Sequence, residues 1–284
     1  MPAISIIMPA YRAESMISRT VASLIAQSFP DWELLLVADD GADYGRILAG
    51  SGIADGRIRL LSSGGVGMGA AKARNVALEA GRAPHAALLD ADDLMKPEKL
   101  AAMLAALADN AIVSTALEVT NTDLKPLRLV AAGGDRPLSA GAHKWVNLSM
   151  DTMIGWDRRR TDARFDPTLS NMADLDFLIR LYEKSAGSFH LGTPLHVYVK
   201  QPDSMSNKAD VTERMIASKA TIRQRLADGS YRLADPAGAE GLDAFLAISM
   251  AAEAAYPAAL AARPGLLFED HLEPRLRAAE TSPV

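Results

Sequence analysis

Three carboxylates lie within four residues of the sequence, at Asp90, Asp92 and Asp93, directly after the apolar run 86–89. Like charges this close together repel one another unless a cation offsets them. Mg²⁺ and Mn²⁺ prefer oxygen ligands and also bind phosphate oxygens, so the spacing favours a metal site for a phosphate-bearing ligand. The alternative is that these aspartates cap a helix and face solvent in a turn. The sequence has no Cys, which excludes Cys-ligated zinc and a thiol nucleophile.

The segments that would position this cluster follow the pattern of an α/β fold. Apolar runs at residues 4–8, 33–38, 57–61 and 86–89 predict strands, and helical spacing of apolar residues predicts helices at 15–27, 70–80 and 97–108. Strands and helices that alternate through short connections form a parallel sheet. Ligands bind outside the carboxyl ends of the strands in such sheets. Two further segments, 9–11 and 39–40, follow strands in this way, so we expect them beside the acidic cluster.

Beyond about residue 110 the alternation weakens. We predict strands at 112–119, 127–130 and 195–199, a loop over 131–141, and helices at 174–185 and 212–226. Residues 235–284 are rich in Ala, and their prolines are expected to separate short helices. Helix 212–226 carries basic residues beside apolar ones, which is typical of a helix packed on its own domain; contact with anionic lipid head groups is the alternative.

Composition and charge narrow the class of protein. The 284 residues carry a formal net charge of −5, which argues against a nucleic-acid partner. The first residues lack the basic and apolar regions of a signal peptide. No stretch of about 18 uncharged apolar residues is present, so we expect no membrane-spanning segment. A cytoplasmic location is the expectation.

Five segments in a fixed order carry a resemblance to a known family. They are SIIMPAY at 5–11, WELLLVADDG at 32–41, GAAKARN at 69–75, LLDADD at 88–93 with PEKL at 97–100, and ADLDFLIRL at 173–181. Together they resemble the motifs of family 2 glycosyltransferases over about residues 3–206. The resemblance implies the GT-A fold, a Rossmann-like and mostly parallel sheet flanked by helices, here with a helical C-terminal extension. It also implies an inverting hexosyltransferase that uses a nucleotide-sugar.

The resemblance assigns donor-binding roles to particular residues. Those implied to bind the nucleotide-sugar are Pro9, Ala10, Tyr11, Asp39, Arg74, Asp90 and Asp92. Tyr11 would lie against the base, Asp39 would accept a hydrogen bond from the uracil imide, and Arg74 would help to hold the nucleotide. Ala38 stands where the family has the first of two acids, and a shift of one residue would give the role of Asp39 to Asp40.

The same resemblance implies a Mn²⁺ or Mg²⁺ cofactor. Asp90 and Asp92 would bridge the metal and the nucleotide-sugar, with Asp92 as the direct ligand. The five histidines of the sequence have no ligand spacing, although His190 or His196 could complete a metal shell.

The resemblance assigns fewer residues to the acceptor side of the site. Asp174 would be the general base, and Ala173 replaces the Glu that the family has beside it. Asp176 could substitute for that missing acid or act as the base itself. Trp156 and the run 158–160 fall in the part of the family that shapes the acceptor site.

These assignments divide the chain into three regions. Residues 1–110 would form the nucleotide-sugar-binding half, 111–211 the acceptor-binding half, and 212–284 the helical extension. The implied reaction moves a sugar from a UDP-sugar to a hydroxyl group of a glycan, in surface polysaccharide synthesis. A lipid-linked acceptor, with the protein peripheral to the inner face of the membrane, is one alternative. A catalytically silent nucleotide-sugar-binding protein is the other.

Overall fold

A computed structural model describes residues 1–169, 171–201 and 211–280. The strands are β1 (Ile4–Ala10), β2 (Trp32–Ala38), β3 (Ile58–Ser62), β4 (His85–Leu88), β5 (Leu94–Met95), β6 (Ile112–Thr120), β7 (Pro126–Val130), β8 (Arg136–Ser139), β9 (Ile154–Asp157) and β10 (Gly187–Val199). The helices are α1 (Ile17–Ile25), α2 (Tyr44–Gly50), α3 (Ala70–Ala80), α4 (Lys99–Leu107), α5 (Ala140–Val146), α6 (Ala173–Tyr182), α7 (Val211–Ala227), α8 (Gly238–Ala262) and α9 (Phe268–Glu280).

All ten strands belong to one mixed sheet with the order β3-β2-β1-β4-β9-β6-β10-β5, with β7 paired to β6 and β8 to β10. The four strands from β3 to β4 are parallel, and β9 is antiparallel to both of its neighbours. Ala10 pairs with Ala38, and Ile7 with Leu88. The turns that follow β1, β2 and β4 therefore meet at one edge of the sheet, as predicted for segments 9–11, 39–40 and 90–93. The α/β fold class, with flanking helices and a helical C-terminal region, is confirmed.

The parallel strands β1, β2 and β4 have mostly apolar sequences, because helices cover both faces of this part of the sheet. Ile6 packs with the apolar face of α1, and its neighbour Ile7 packs with Ala73 and Ala77 of α3 on the other face. Ile6 and Ile7 are both fully buried. Pairing with β2 and β4 sets the register of β1, and with it the position of the turn that follows.

The predicted loop over 131–141 is wrong, because β8 and the start of α5 lie within it. Ser139 caps α5 by accepting a hydrogen bond from the backbone N–H of Ala142 at 3.2 Å. Strand β9 has no counterpart among the predicted elements. It has four residues, and Gly155 leaves no room for a side chain between β9 and Met103. Strands β8 and β9 have four residues each, which is too short to produce a periodic pattern in the sequence.

The C-terminal helices differ from the prediction in two ways. Pro257 and Pro274 lie inside α8 and α9 rather than between helices. Helix α8 also has the length and composition of a membrane-spanning helix, contrary to the expectation that no segment would qualify. In the fold it packs against α5, α7 and α9, and its Glu253 is paired with Lys219 of α7 at 2.7 Å. Core helices of soluble proteins pass the same length and composition test but are mostly buried, whereas 28% of the apolar window of α8 is buried in the fold.

Three basic residues of α7 bind acids of the protein itself. Lys219 is buried against Glu253, Arg223 pairs with Asp243, and Arg225 pairs with Asp166 at 2.7 Å. These contacts agree with the interpretation of α7 as a helix packed on its own domain.

Candidate active site

Arg74, on the first turns of α3, lies among the acids predicted for the donor and the base. Its guanidinium donates to Asp90 Oδ1 at 2.6 Å and is only 7% exposed. Burial alone would lower the pKa of Arg74, but the negative charges of Asp90, Asp174 and Asp92 raise it. Its Nε has no hydrogen-bond partner among the described residues. One buried cation thus interacts with carboxylates from the turn after β4 and from α6.

Asp92 lies beside Asp90 in the turn after β4. Burial, together with the negative charge of Asp90, raises the pKa of the Asp92 carboxyl to about 6, although Arg19 and Arg74 oppose the shift. Burial first and the charge of Asp90 second disfavour the ionised form of Asp92, so a cation beside this carboxylate would stabilise that form. Across residues 1–169, 171–201 and 211–280, no group of three or more His, Cys, Asp or Glu is placed to hold a metal ion. A divalent cation here would have to take other oxygen ligands from its substrate and from water, as Mg²⁺ commonly does.

Asp39 holds the glycine-rich loop 64–69. Its Oδ1 accepts hydrogen bonds from Ser63 Oγ at 2.5 Å and from the N–H of Met68 at 2.9 Å, and its Oδ2 accepts from the N–H of Gly69 at 2.9 Å. Asp39 is 3% exposed. Gly69 precedes α3 with a φ of 95°, a conformation that favours glycine. Asp39 therefore positions the start of the helix that carries Arg74.

Asp40 has a different set of partners. Its carboxylate accepts from the N–H of Arg12 at 2.6 Å and from the hydroxyl of Tyr44 at 2.7 Å, so it fixes the turn after β1. Burial would raise the pKa of Asp40, but hydrogen bonds from Ala42, Tyr44 and Arg12 outweigh this effect and lower it. Tyr11, in the same turn, is 47% exposed at the edge of the sheet. Pro9 and Ala10 are the last two residues of β1.

Asp174 lies in the first turn of α6. Its Oδ2 accepts a hydrogen bond from the backbone N–H of Asp151 at 3.3 Å. Burial and the charge of Asp151 raise the pKa of the Asp174 carboxyl, while Arg74 and Lys144 act in the opposite direction. A partly buried carboxylate with a raised pKa has the properties expected of a general base.

The family model for glycosyl transferase family 2 matches residues 5–166, which include the turns after β1, β2 and β4 and the residue Arg74. The chain belongs to glycosyl transferase family 2. The predicted enzyme class, a glycosyltransferase, is therefore confirmed.

Two relatives agree with the family assignment. TuaG of Bacillus subtilis, a glycosyltransferase named for teichuronic acid biosynthesis, is 31% identical over 217 residues, which cover 72% of this chain and 82% of TuaG. WfgD of Escherichia coli, named as a UDP-Glc:alpha-D-GlcNAc-diphosphoundecaprenol beta-1,3-glucosyltransferase, is 38% identical over 109 residues. That match covers 38% of this chain and less than half of WfgD, at 42%.

Solved structures share the fold at low sequence identity. TarS residues 1–349 of S. aureus, in complex with UDP-GlcNAc, superposes with a TM-score of 0.68 at 16% identity. The superposition covers 98% of this chain and 83% of the TarS chain. This likeness extends through the C-terminal helices, beyond the residues that match the family model.

The third acid of the cluster, Asp93, has a structural role in this glycosyltransferase. Asp93 is 1% exposed and accepts from the backbone N–H of Val199 at 2.9 Å, and its Oδ2 lies 3.1 Å from His196 Nε2. His196 Nδ1 in turn lies 2.6 Å from Lys99 Nζ, and burial lowers the pKa of that lysine to about 7. Both ring nitrogens of His196 are engaged, so it is not available to complete a metal shell.

His190 is also engaged inside the fold, where its Nδ1 lies 2.9 Å from Ser114 Oγ and its Nε2 lies 2.8 Å from the carbonyl oxygen of Ala131. The isolated histidines in the sequence gave no sign of these networks, because every partner comes from a distant segment.

Asp176 does not face the predicted donor acids. It is fully buried and accepts from Arg180 Nε at 2.7 Å, Arg225 Nη1 at 2.9 Å and the hydroxyl of Tyr231 at 2.5 Å. These contacts bind α6 to α7 and to the segment that follows α7. The alternative that placed the base at Asp176 is therefore disfavoured.

The expectation that Trp156 and 158–160 shape the acceptor site is wrong. Trp156 is 2% exposed and packs edge to face on Phe177 in the core, with ring centroids 5.0 Å apart. Arg158 donates to the carbonyl oxygen of Leu78 at 2.7 Å, near the end of α3. Trp156 lies within β9, and the run 158–160 follows it at the end of the sheet away from Asp90.

Proposed function

We propose that the chain is an inverting, metal-dependent hexosyltransferase that moves a sugar from a UDP-sugar to a hydroxyl group of a glycan, in surface polysaccharide synthesis. The observation that carries this proposal is the position of Arg74. It donates to Asp90 and interacts electrostatically with Asp92 and Asp174, so one buried cation connects the predicted donor acids to the predicted base.

Asp92 and Asp90 are the residues that would hold Mn²⁺ or Mg²⁺. Two carboxylates, with further ligands from diphosphate oxygens and water, suit a hard cation. The raised pKa of Asp92 fits this assignment, because a carboxylate that carries an unfavourable charge gains most from a bound cation. When bound, the cation would offset the negative charge that builds on the leaving diphosphate.

The chain's own residues would bind the nucleotide. Tyr11 is exposed at the sheet edge and would lie against the base. Asp39 Oδ2 accepts one hydrogen bond, from Gly69, in the described part of the chain, and a carboxylate oxygen can accept a second one from the uracil imide. Arg74 would hold the diphosphate side of the donor while it keeps Asp90 in place.

Asp174 would take the proton from the acceptor hydroxyl as that hydroxyl attacks the sugar. A carboxyl whose pKa is raised toward neutral pH is a stronger base than an ordinary aspartate. Attack from the face opposite the diphosphate inverts the anomeric carbon.

The names of similar proteins support the choice of donor and acceptor. The TarS structures contain UDP or UDP-GlcNAc, and WfgD is named as a UDP-Glc-dependent enzyme. TuaG and chondroitin synthase are named for polysaccharide synthesis. WfgD is named for an acceptor on diphosphoundecaprenol, which favours a lipid-linked acceptor as the second candidate. In that case the protein would act in the cytoplasm, peripheral to the inner face of the membrane.

A thermal-shift screen of nucleotide-sugars with MnCl₂ tests the proposal. A UDP-sugar at 100 times its dissociation constant should stabilise the fold by about 2.7 kcal/mol, and ADP-, GDP- and CDP-sugars should stabilise it less. The UDP-sugar that stabilises most is then incubated with glycan and with lipid-linked acceptors, and UDP release is measured. Tight binding with no release on any acceptor would favour the silent binder, and no UDP-sugar binding would contradict the proposal.

A further inference from the structure

A buried ion pair adjoins the predicted base and comes from segment 144–151, which includes the end of α5 and the residues that follow it. Lys144 Nζ lies 2.9 Å from Asp151 Oδ2 and 3.1 Å from Asp151 Oδ1, and it also donates to the carbonyl oxygen of Ser149 at 2.7 Å. Both side chains of the pair are at most 2% exposed. Asn147 Nδ2 donates to the carbonyl oxygen of Met150 at 2.6 Å, which further fixes this segment.

The pair contacts Asp174 through the backbone and interacts with it through charge. The N–H of Asp151 donates to Asp174 Oδ2 at 3.3 Å. The largest charge effects on Asp174 come from Asp151, then from Arg74 of α3, and then from Lys144. Asp176, on the same helix, faces the C-terminal region instead.

The C-terminal helices hold this segment from behind. Trp145 Nε1 donates to the carbonyl oxygen of Gly241 in α8 at 2.9 Å. Ser149 Oγ donates to Glu269 of α9 at 2.9 Å, and Glu269 also pairs with Lys200 at 3.0 Å. The extension therefore contributes to the surroundings of Asp174 without contacting it in the described structure.

We propose that Asp151 and Lys144 are positioning residues for Asp174: the Asp151 N–H orients the carboxylate, and the two opposite side-chain charges set how readily it takes a proton. This inference rests on the proposed function, which makes Asp174 the base. Asp151 would then supply a second acid near Asp174, in place of the Glu that the family has at the position of Ala173. Asp151 lies 22 residues before Ala173 in the sequence and reaches Asp174 only through the fold.

The test is a direct titration of Asp174 in the ligand-free protein, labelled with ¹³C at the Asp carboxyl carbons. The Asp174 resonance is assigned by its loss in Asp174→Asn. Lys144→Met removes the positive charge and should raise the pKa of Asp174 by about 1, whereas Asp151→Asn keeps the N–H, removes the negative charge and should lower it by about 1. The double variant should return close to the parent value.

Arg223→Met is the control, because Arg223 also pairs with an acid, Asp243, at 2.7 Å, and only burial and Asp243 act on its charge. It should leave the pKa of Asp174 unchanged. Opposite shifts in the two single variants support the proposal. An unchanged pKa in both, or shifts in the same direction, would overturn it. The titration needs neither donor nor acceptor, so its outcome is independent of whether the chain transfers a sugar.

Discussion

The candidate donor-binding residues lie on turns that leave three adjacent parallel strands, and we call this part of the site the donor edge. The surroundings of Asp174, which we call the base side, come instead from segments far apart in the sequence. Tyr11, Asp39 and Asp90 are placed by the backbone register of β1, β2 and β4. Asp174 depends on a segment more than 20 residues earlier and, through that segment, on Gly241 and Glu269, which lie 67 and 95 residues later in the sequence. Strand pairing should therefore keep the donor edge intact under substitutions that disturb the base side.

Asp174→Asn should separate the two regions most sharply. The amide keeps the size of the side chain but cannot take a proton, so sugar transfer should fall by about 10²- to 10⁴-fold. UDP affinity in MnCl₂ should stay within about twofold of the parent, since the donor edge is unchanged. The measurement is the steady-state rate of UDP release with acceptor, beside calorimetric titration of UDP. Full transfer activity would remove Asp174 as the base.

Arg74→Met should impair both regions at once, because Arg74 interacts with acids of both. Asp90, Asp92 and Asp174 would lose their common positive charge, and UDP should bind about 10- to 100-fold more weakly as well as react more slowly. Arg82→Met is the control, because Arg82 is exposed and lies at the other end of α3. If Arg74→Met affected only transfer or only binding, the shared role would be contradicted.

Asp176→Asn should damage the fold rather than the chemistry. The change weakens the bonds from Arg180, Arg225 and Tyr231 to a fully buried carboxylate, at a cost of about 1–3 kcal/mol in the free energy of unfolding. The residual transfer rate per folded molecule should stay near that of the parent. Urea unfolding and active-enzyme titration measure the two quantities. A loss of rate with unchanged stability would reassign the base to Asp176.

Asp92→Asn should stabilise the ligand-free protein. The pKa of Asp92 is raised to about 6, chiefly by burial, so the folded chain keeps a proton that the unfolded chain has already lost. The free energy of unfolding should therefore fall as the pH rises from about 4 to 6, and the variant should not show this fall. At pH 7 in EDTA we expect a gain of about 1–3 kcal/mol. Asp123→Asn, at an exposed loop position, is the control, and a less stable Asp92→Asn would contradict the charge balance described for the site.

The same contrast explains how far the sequence predicts the site. The acids after β2 and β4 are predicted because each follows a long apolar run, and parallel strands bring such turns together. The partners of Asp39 and Asp176 were not predictable, because Ser63, Met68, Arg225 and Tyr231 carry no local pattern that points to either acid. Asp151 was missed for the same reason: it lies in a short irregular segment, and its contact with Asp174 depends on how α5, β9 and α6 pack.

Titration of UDP into the protein by calorimetry, in MnCl₂ and in EDTA, tests the central claim most directly. The ligand-free site holds two adjacent carboxylates, and across residues 1–169, 171–201 and 211–280 no cluster of three or more potential ligands is placed to hold a metal ion. UDP should therefore bind at least about tenfold more tightly with Mn²⁺, because diphosphate oxygens complete its ligand shell. Asp92→Ala should abolish that difference. Equal affinity for UDP with and without metal would contradict the account.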